Sequence, residues 1–249
     1  MTITVCIKRT PDTETRVRVG GDGVSIDPTG VKYIMSPYDE MAVEAALRTR
    51  EGAGEGEVHV LSFGTDAAVE TLRSGLAMGA DAAVLLTGEP TMDGLATAKV
   101  LAAELEGRDD ALVLFGVKAV DDDQQQVGAM VATLLGRPCV TAVASFEISD
   151  GRAVCHREVE GGVEVVEVPL PAVLSVTKGE FEPRYASLKG IMAAKRKPLE
   201  QKEGVAVASR LVVDALDLPP ARPEGRIVGE GADAVPELVR LLREEAKVI

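Results

Sequence analysis

The feature that most constrains the fold is an alternation: short apolar runs with strand character are separated by stretches of helical period through the first 135 residues. Residues 3–7, 58–64, 82–86 and 111–116 read as strands. They are nearly continuous in aliphatic side chains, the pattern of strands buried on both faces. Between them, residues 67–78, 93–105 and 124–135 read as helices. A further helix opens at Ser36 and carries its apolar stripe on Ala42, Val43, Ala46 and Leu47. Ser36 can cap it, Pro37 suits its first position, and Asp39 and Glu40 favour its positive end. A β-α-β-α succession predicts a doubly wound, mostly parallel sheet between two helical layers, with ligands at the carboxyl ends of the strands. Hydrophobic residues make up 46% of the chain while aromatics are only 3%, so the core must be built from aliphatic side chains.

The rhythm changes after Gly136. Residues 139–148, 152–159, 163–168 and 171–176 read as strands separated by turns, some of them antiparallel along an added edge of the sheet. Residues 17–19 and 24–26 flank a Gly-Gly-Asp-Gly turn and predict a hairpin. From residue 203 the chain is richer in Pro and charge, including Leu218-Pro219-Pro220-Ala221-Arg222-Pro223, and closes on a helix over 235–247. The expected organisation is an α/β domain over 1–202 and an extended C-terminal arm over 203–249 that packs on a partner.

A net charge of −13 argues against nucleic acid as the main ligand, because phosphate neutralisation needs a dominant basic face. Three cysteines and two histidines show no metal-ligand spacing, so no metal site is expected. No apolar run reaches the ~18 residues of a membrane span. The chain begins directly in strand-like sequence with no leader, so a soluble, cytoplasmic protein is expected. There is no G-x-G-x-x-G after a strand, no P-loop, no catalytic triad context and no H-E-x-x-H. The chain does not read as a self-sufficient enzyme.

Two segments carry chemistry. Gly116, Val117, Lys118, Ala119, Val120, Asp121, Asp122, Asp123, Gln124, Gln125, Gln126 and Val127 join a strand end to a helix N-terminus, where free N–H groups and the dipole can hold a phosphate. Two other readings stay open: the aspartates cap the helix, or they bind a metal. The strand ends Cys6-Ile7-Lys8-Arg9 and Ser62-Phe63-Gly64, with Ser36-Pro37-Tyr38, converge on the same edge and outline a small-molecule pocket. The second segment is Glu182–Pro198, with five Lys/Arg and no acid between residues 184 and 197. Leu188 lies inside this basic run. The segment reads either as a solvated surface helix or as a dock for an acidic partner, with charge steering the encounter.

The string R-Y-A-S-L-K-G-I-M-A-A-K-R-K-P at 184–198 closely resembles the signature of electron transfer flavoprotein β-subunits. Five further blocks resemble the same family in order. They are V-C-I-K-R-T-P-D at 5–12, M-S-P-Y-D-E-M-A-V-E-A-A-L at 35–47, G-L-A-M-G-A-D at 75–81, A-V-D-D-D-Q-Q-Q-V-G at 119–128 and L-P-A-V-L-S-V at 170–176. The resemblance therefore spans nearly the whole chain.

It implies an adenine-nucleotide-hydrolase-like, Rossmann-like fold and a heterodimer with an α-subunit that holds most of an FAD. By position, an AMP site would involve Cys6, Ser36, Pro37, Tyr38, Asp39, Phe63 and Gly116 through Val127, with Tyr38 towards the flavin. Leu188 would anchor a recognition loop, with Arg184, Tyr185, Ile191 and Met192 around it. By the same resemblance that loop would dock acyl-CoA dehydrogenases and related flavin donors, and a quinone-linked oxidoreductase would take the electrons. The sequence departs from the family pattern in three places. Ser36 replaces the usual Asn, Gln124 and Gln125 replace Cys or Asn, and Lys189-Gly190 replaces Pro-Asn or Pro-Gly, which is expected to loosen the loop. A bifurcating relative would hold a second FAD instead of AMP and oxidise NADH, but Asp122 occupies its glycine position and would crowd a diphosphate. A stand-alone nucleotide-binding module is the other alternative, and its phosphate loop is missing.

Overall fold

The computed structural model describes residues 1–221 and 224–249; Arg222 and Pro223, within the predicted arm, lie outside the described residues. The chain divides into two units, Met1–Ala215 and Leu216–Ile249.

In the first unit the aliphatic run at the N-terminus forms β1 (Thr2–Cys6), buried from Ile3 onward. Two short strands follow, β2 (Arg9–Pro11) and β3 (Tyr33–Met35). The alternation read from the sequence then appears as α1 (Pro37–Ala53), β4 (Glu57–Gly64), α2 (Ala68–Met78), β5 (Ala82–Thr87), α3 (Gly94–Leu105), β6 (Asp110–Gly116) and α4 (Val127–Leu135). After α4 come β7 (Cys139–Ser149), β8 (Arg152–Val159), β9 (Gly162–Pro169), β10 (Ala172–Val176), α5 (Leu188–Ala194) and β11 (Leu199–Glu203). Nine of these strands form one sheet in the order β11-β5-β4-β1-β6-β10-β7-β8-β9.

The strands from β11 to β7 pair in parallel, and β8 and β9 add the antiparallel edge. Ile3, Val5 and Ile7 pack with Leu47 of α1 and Leu72 of α2 on one face. Cys6, Leu61 and Phe115 pack with Leu101 and Leu105 of α3 and Val131 of α4 on the other. This is the expected doubly wound α/β architecture. Leu72 and Leu105 are fully buried on opposite faces, and truncating either to Ala costs roughly 2–5 kcal/mol. The chain runs from β1 outward through β4 to β5, then crosses back to β6 on the other side of β1. That reversal opens a crevice at the carboxyl ends of β1 and β6.

Several local expectations differ from the structure. The hairpin around residues 20–23 reduces to a single bridge between Val19 and Ile26, closed by Gly20 N–H donating to Ser25 O at 2.7 Å. Val17 and Val24 are exposed, so the ribbon has no apolar face to bury, and an isolated two-stranded ribbon is marginal in water. The strands that do pair are β2 and β3, antiparallel. The fourth helix begins at Val127, not Gln124. Asp123 and Gln125 have φ of 52° and 54°, a left-handed backbone no helix accommodates. β11 is not among the strands expected from apolar pattern, since it carries Glu200, Lys202 and Glu203, yet it pairs in parallel with β5 along Ala83–Thr87. Ser36 is the residue before α1 but makes no side-chain cap; its hydroxyl instead points to Lys118 O at 3.5 Å.

In the second unit a 3-10 turn (Ala232–Ala234) leads into α6 (Val235–Glu244). Arg240 pairs with Glu237 and Glu244 on one face. Val235, Leu238, Val239 and Leu242 recur at helical spacing on another.

Candidate functional site

The crevice at the strand ends holds a cavity that is partly open to solvent. Its floor comes from Cys6, Ile7 and Lys8 after β1, Phe63 of β4, and Phe115, Gly116 and Val117 at the end of β6. Of the residues expected at a nucleotide site, Cys6, Asp39, Phe63, Gly116, Val117, Lys118, Ala119, Asp122, Gln124, Gln125, Gln126 and Val127 all line it. Ser36, Pro37, Tyr38, Val120, Asp121 and Asp123 are not in its wall. Tyr38 is half-buried, with Lys118 Nζ 5.9 Å from its ring centre. Pro90, Thr91, Gly94, Thr97, Leu101, Thr141 and Ser175 also line the cavity. No local pattern marks them, because sheet order alone brings α3, β7 and β10 to this edge.

Asp39 does not face the solvent end of α1. Its carboxylate turns under the strand ends and accepts the Lys8 N–H at 2.7 Å and the Gly116 N–H at 3.0 Å. This locks α1 to β1 and β6. Gly116 is required there, since a Cβ would lie 2.5 Å from Asp39 Oδ1 and 2.7 Å from the Tyr38 carbonyl carbon. Burial pushes the Asp39 pKa up to about 7, against the pull of the two N–H groups. Burial also keeps the Cys6 thiol well above its ordinary range.

The aspartates of the β6–α4 loop do not cap α4. Asp121 and Asp122 each accept from Lys8 Nζ at 2.8 Å, and Asp123 accepts from Lys118 Nζ at 2.9 Å. Burial disfavours the Lys8 charge, but its hydrogen bonds to the two aspartates outweigh that and raise its pKa. Gln124 donates to Met92 O at 2.9 Å and accepts from Gln126. Among the described residues the N–H groups of Gln125, Gln126, Val127 and Gly128 have no intramolecular acceptor. These residues line the cavity, so the start of α4 offers it backbone donors of the kind that bind an anionic oxygen group. Among the described residues no group of three or more His, Cys, Asp or Glu is placed to hold a metal ion.

The basic segment forms a second surface. Tyr185 is fully exposed and Leu188 is 84% exposed, with Ile191 and Met192 beside them. Arg184 turns inward instead, onto Glu44 and Glu51 of α1. Lys189, Lys195 and Arg196 are exposed.

Residues 24–206 match the family model described as "Electron transfer flavoprotein domain". The chain is 42% identical over 253 residues to the electron transfer flavoprotein subunit beta of Bradyrhizobium diazoefficiens, with both chains fully covered. The chain belongs to the electron transfer flavoprotein β-subunit family. The Bacillus subtilis subunit beta is 38% identical over 264 residues, with both chains fully covered. The Homo sapiens subunit beta is 36% identical over 249 residues, covering 97% of this chain and 98% of the relative. These relatives are named as flavoprotein subunits, and a β-subunit implies an α-subunit partner. Among the described residues no helix is long and apolar enough to cross a membrane.

Proposed function

We propose that this chain is the β-subunit of a heterodimeric electron carrier that binds AMP in the strand-end cavity. It covers an FAD held mainly by the α-subunit. The observation that carries the reading is the set of N–H groups without an intramolecular acceptor at the start of α4, beside a cavity where Lys8 pairs Asp121 and Asp122 and Lys118 pairs Asp123, so that the loop keeps one net negative charge instead of three. A monophosphate fits those donors. The aliphatic and aromatic floor of Phe63, Leu101 and Phe115 suits a base, and Thr141, Ser175 and Gln125 offer polar partners. Asp122 stands in the wall where the bifurcating relatives have glycine, and its side chain would crowd a diphosphate, so AMP is preferred to a second FAD, and with it the simple carrier to the bifurcating type.

When bound, FAD supplies the redox chemistry. The chain's own residues orient and shield it. Tyr38 lies towards the flavin, the C-terminal arm over 203–249 packs on the α-subunit, and AMP stabilises the fold by binding only its native form. Tyr185, Leu188, Ile191 and Met192, ringed by Lys189, Lys195 and Arg196, dock an apolar socket rimmed with carboxylates. The occupants are acyl-CoA dehydrogenases and related flavin enzymes, from which electrons pass to a quinone-linked oxidoreductase. The chain acts as a carrier subunit, without chemistry of its own on a substrate.

The test is to denature the co-expressed heterodimer and identify the released nucleotides by mass spectrometry. One AMP and one FAD per heterodimer are expected. Two FAD would move the protein to the bifurcating type, and FAD without any adenosine monophosphate would refute the cavity assignment.

A further inference from the structure

The five cations between residues 184 and 197 are alike in sequence but divide into two groups in the structure. Lys189, Lys195 and Arg196 are exposed, with no carboxylate partner among the described residues. Arg184 and Lys197 face inward and clamp the two ends of the segment to different helices.

At the first end, the Arg184 guanidinium forks over two carboxylates of α1. Its Nε donates to Glu44 Oε2 at 2.7 Å and its Nη2 to Glu44 Oε1 at 3.1 Å. Its Nη1 and Nη2 donate to Glu51 at 2.6 Å and 3.0 Å. The Arg184 backbone N–H also reaches Glu44, at 3.3 Å. Glu44 is buried and is held in turn by Arg48 at 2.8 Å. Both partners drive the Arg184 pKa upward, with the Glu51 and Glu44 hydrogen bonds leading.

At the second end, Lys197 Nζ donates to Leu76 O at 3.2 Å and to Ala80 O, closing the C-terminal end of α2. Arg73 of α2 donates to Ala194 O and Lys197 O. Between the clamps α5 lies directly on α2, since a Cβ at Gly190 would be 2.5 Å from Ala77 O. The Gly190 N–H is also held by Ser187 Oγ at 3.0 Å. Gly190 therefore lets the segment approach the backbone of α2 closely.

We propose that Arg184 is a positioning residue that holds the apolar knob of Tyr185 and Leu188 in one preformed geometry and does not touch the docking partner. The proposal rests on the reading of this segment as the dehydrogenase dock. A preformed knob loses little conformational freedom on association, so its affinity depends on the clamp. A guanidinium already matched by two carboxylates adds little to the field that steers an acidic partner, which falls to Lys189, Lys195 and Arg196. Lysine at 184 can reach one carboxylate but cannot form the fork.

The test uses the flavin-loaded heterodimer, with a purified acyl-CoA dehydrogenase reduced by its acyl-CoA substrate as the probe. Arg184→Met is expected to raise the half-saturating heterodimer concentration about tenfold, a rise that persists at high ionic strength where the unmasked Glu51 carboxylate is screened, with maximal rate and flavin content unchanged. Glu51→Gln, which removes one arm of the fork, is expected to raise it about threefold. Arg184→Lys should fall between wild type and Met. The double change Lys195→Gln, Arg196→Gln should instead flatten the ionic-strength slope. A rise in Arg184→Met that vanishes at high ionic strength, with no effect of Glu51→Gln, would mean a charge contact with the partner and would overturn the proposal. So would an unchanged half-saturation in Arg184→Met beside a raised one in Leu188→Ala, which leaves the docking reading standing. No effect of Leu188→Ala either would remove both. Should Arg184→Met fail to assemble, Glu51→Gln and Arg184→Lys decide alone, because both keep a cation on the buried Glu44.

Discussion

Asp39 sits where three elements meet: it is carried by α1 and accepts N–H groups from Lys8, after β1, and from Gly116, at the end of β6. Burial lifts its pKa from 3.8 to about 7, although the two N–H groups and the nearby Lys8 charge pull the other way. In the unfolded chain the carboxyl is hydrated and titrates near 3.8. Between those values the folded protein binds a proton that the unfolded chain does not. The contribution of Asp39 is thus fully present below its unfolded pKa and is lost as pH rises through its folded pKa of about 7. Three pKa units at ~1.4 kcal/mol each set a ceiling of ~4 kcal/mol.

Asp39→Asn removes the titration. Because both carboxylate oxygens accept N–H groups, the amide nitrogen must face one of the donors, a pH-independent loss of about 1–3 kcal/mol. Urea unfolding of wild type and variant between pH 4.5 and 8 separates the two effects. The advantage of wild type should shrink by up to ~3 kcal/mol as pH rises across that window, the part of the ceiling that lies above pH 4.5. Glu51, whose pKa its Arg184 hydrogen bonds lower, has the opposite sign and cancels in the difference. Parallel curves for wild type and variant would refute the burial argument.

Leu188→Ala removes the most prominent aliphatic side chain of the segment and should slow electron transfer from the dehydrogenase at fixed concentration with normal flavin content. A wild-type rate would sink its role as anchor. The chain expressed alone should hold FAD poorly and gain it only with its α-subunit; tight stoichiometric FAD on the lone chain would contradict the AMP assignment. Gly116→Ala forces a Cβ against Asp39 and Tyr38 and should cost about 1–3 kcal/mol by chemical denaturation, with nucleotide content falling in parallel. Asp110 is buried and accepts from Thr4 Oγ1 at 3.0 Å and Arg108 Nε at 3.1 Å. Asp110→Ala leaves the buried Thr4 hydroxyl without its acceptor and Arg108 with Glu104 as its remaining carboxylate, and should cost about 1–3 kcal/mol; a loss below ~0.5 kcal/mol would show the network to be hydrated instead.

The alternation of elements was legible because buried parallel strands and amphipathic helices impose different periods on apolar side chains. β1, β4, β5 and β6 and the helices between them therefore appear close to where the pattern predicts. β11 was not legible, since an edge strand pairs through its backbone and carries Glu200, Lys202 and Glu203 without penalty. The three aspartates of the β6–α4 loop show the same limit at the site. Their sequence allowed a helix cap, a metal site or a phosphate loop; the approach of Lys8, just after β1, to Asp121 and Asp122 and of Lys118 to Asp123 pairs them away from the α4 donors.

The sequence by itself determined the layer architecture, the strand-end edge where the cavity lies, and the family, because each is written in local pattern and contiguous motifs. Tertiary structure decided which cations of the basic segment are free and which are structural. It also decided that Asp39 is buried rather than helix-end surface, and that Thr141 and Ser175 join the cavity. Those outcomes depend on residues distant in the chain coming within hydrogen-bonding range. No local period encodes that, because a charged side chain has the same propensity whether its partner is water or a carboxylate on a neighbouring helix.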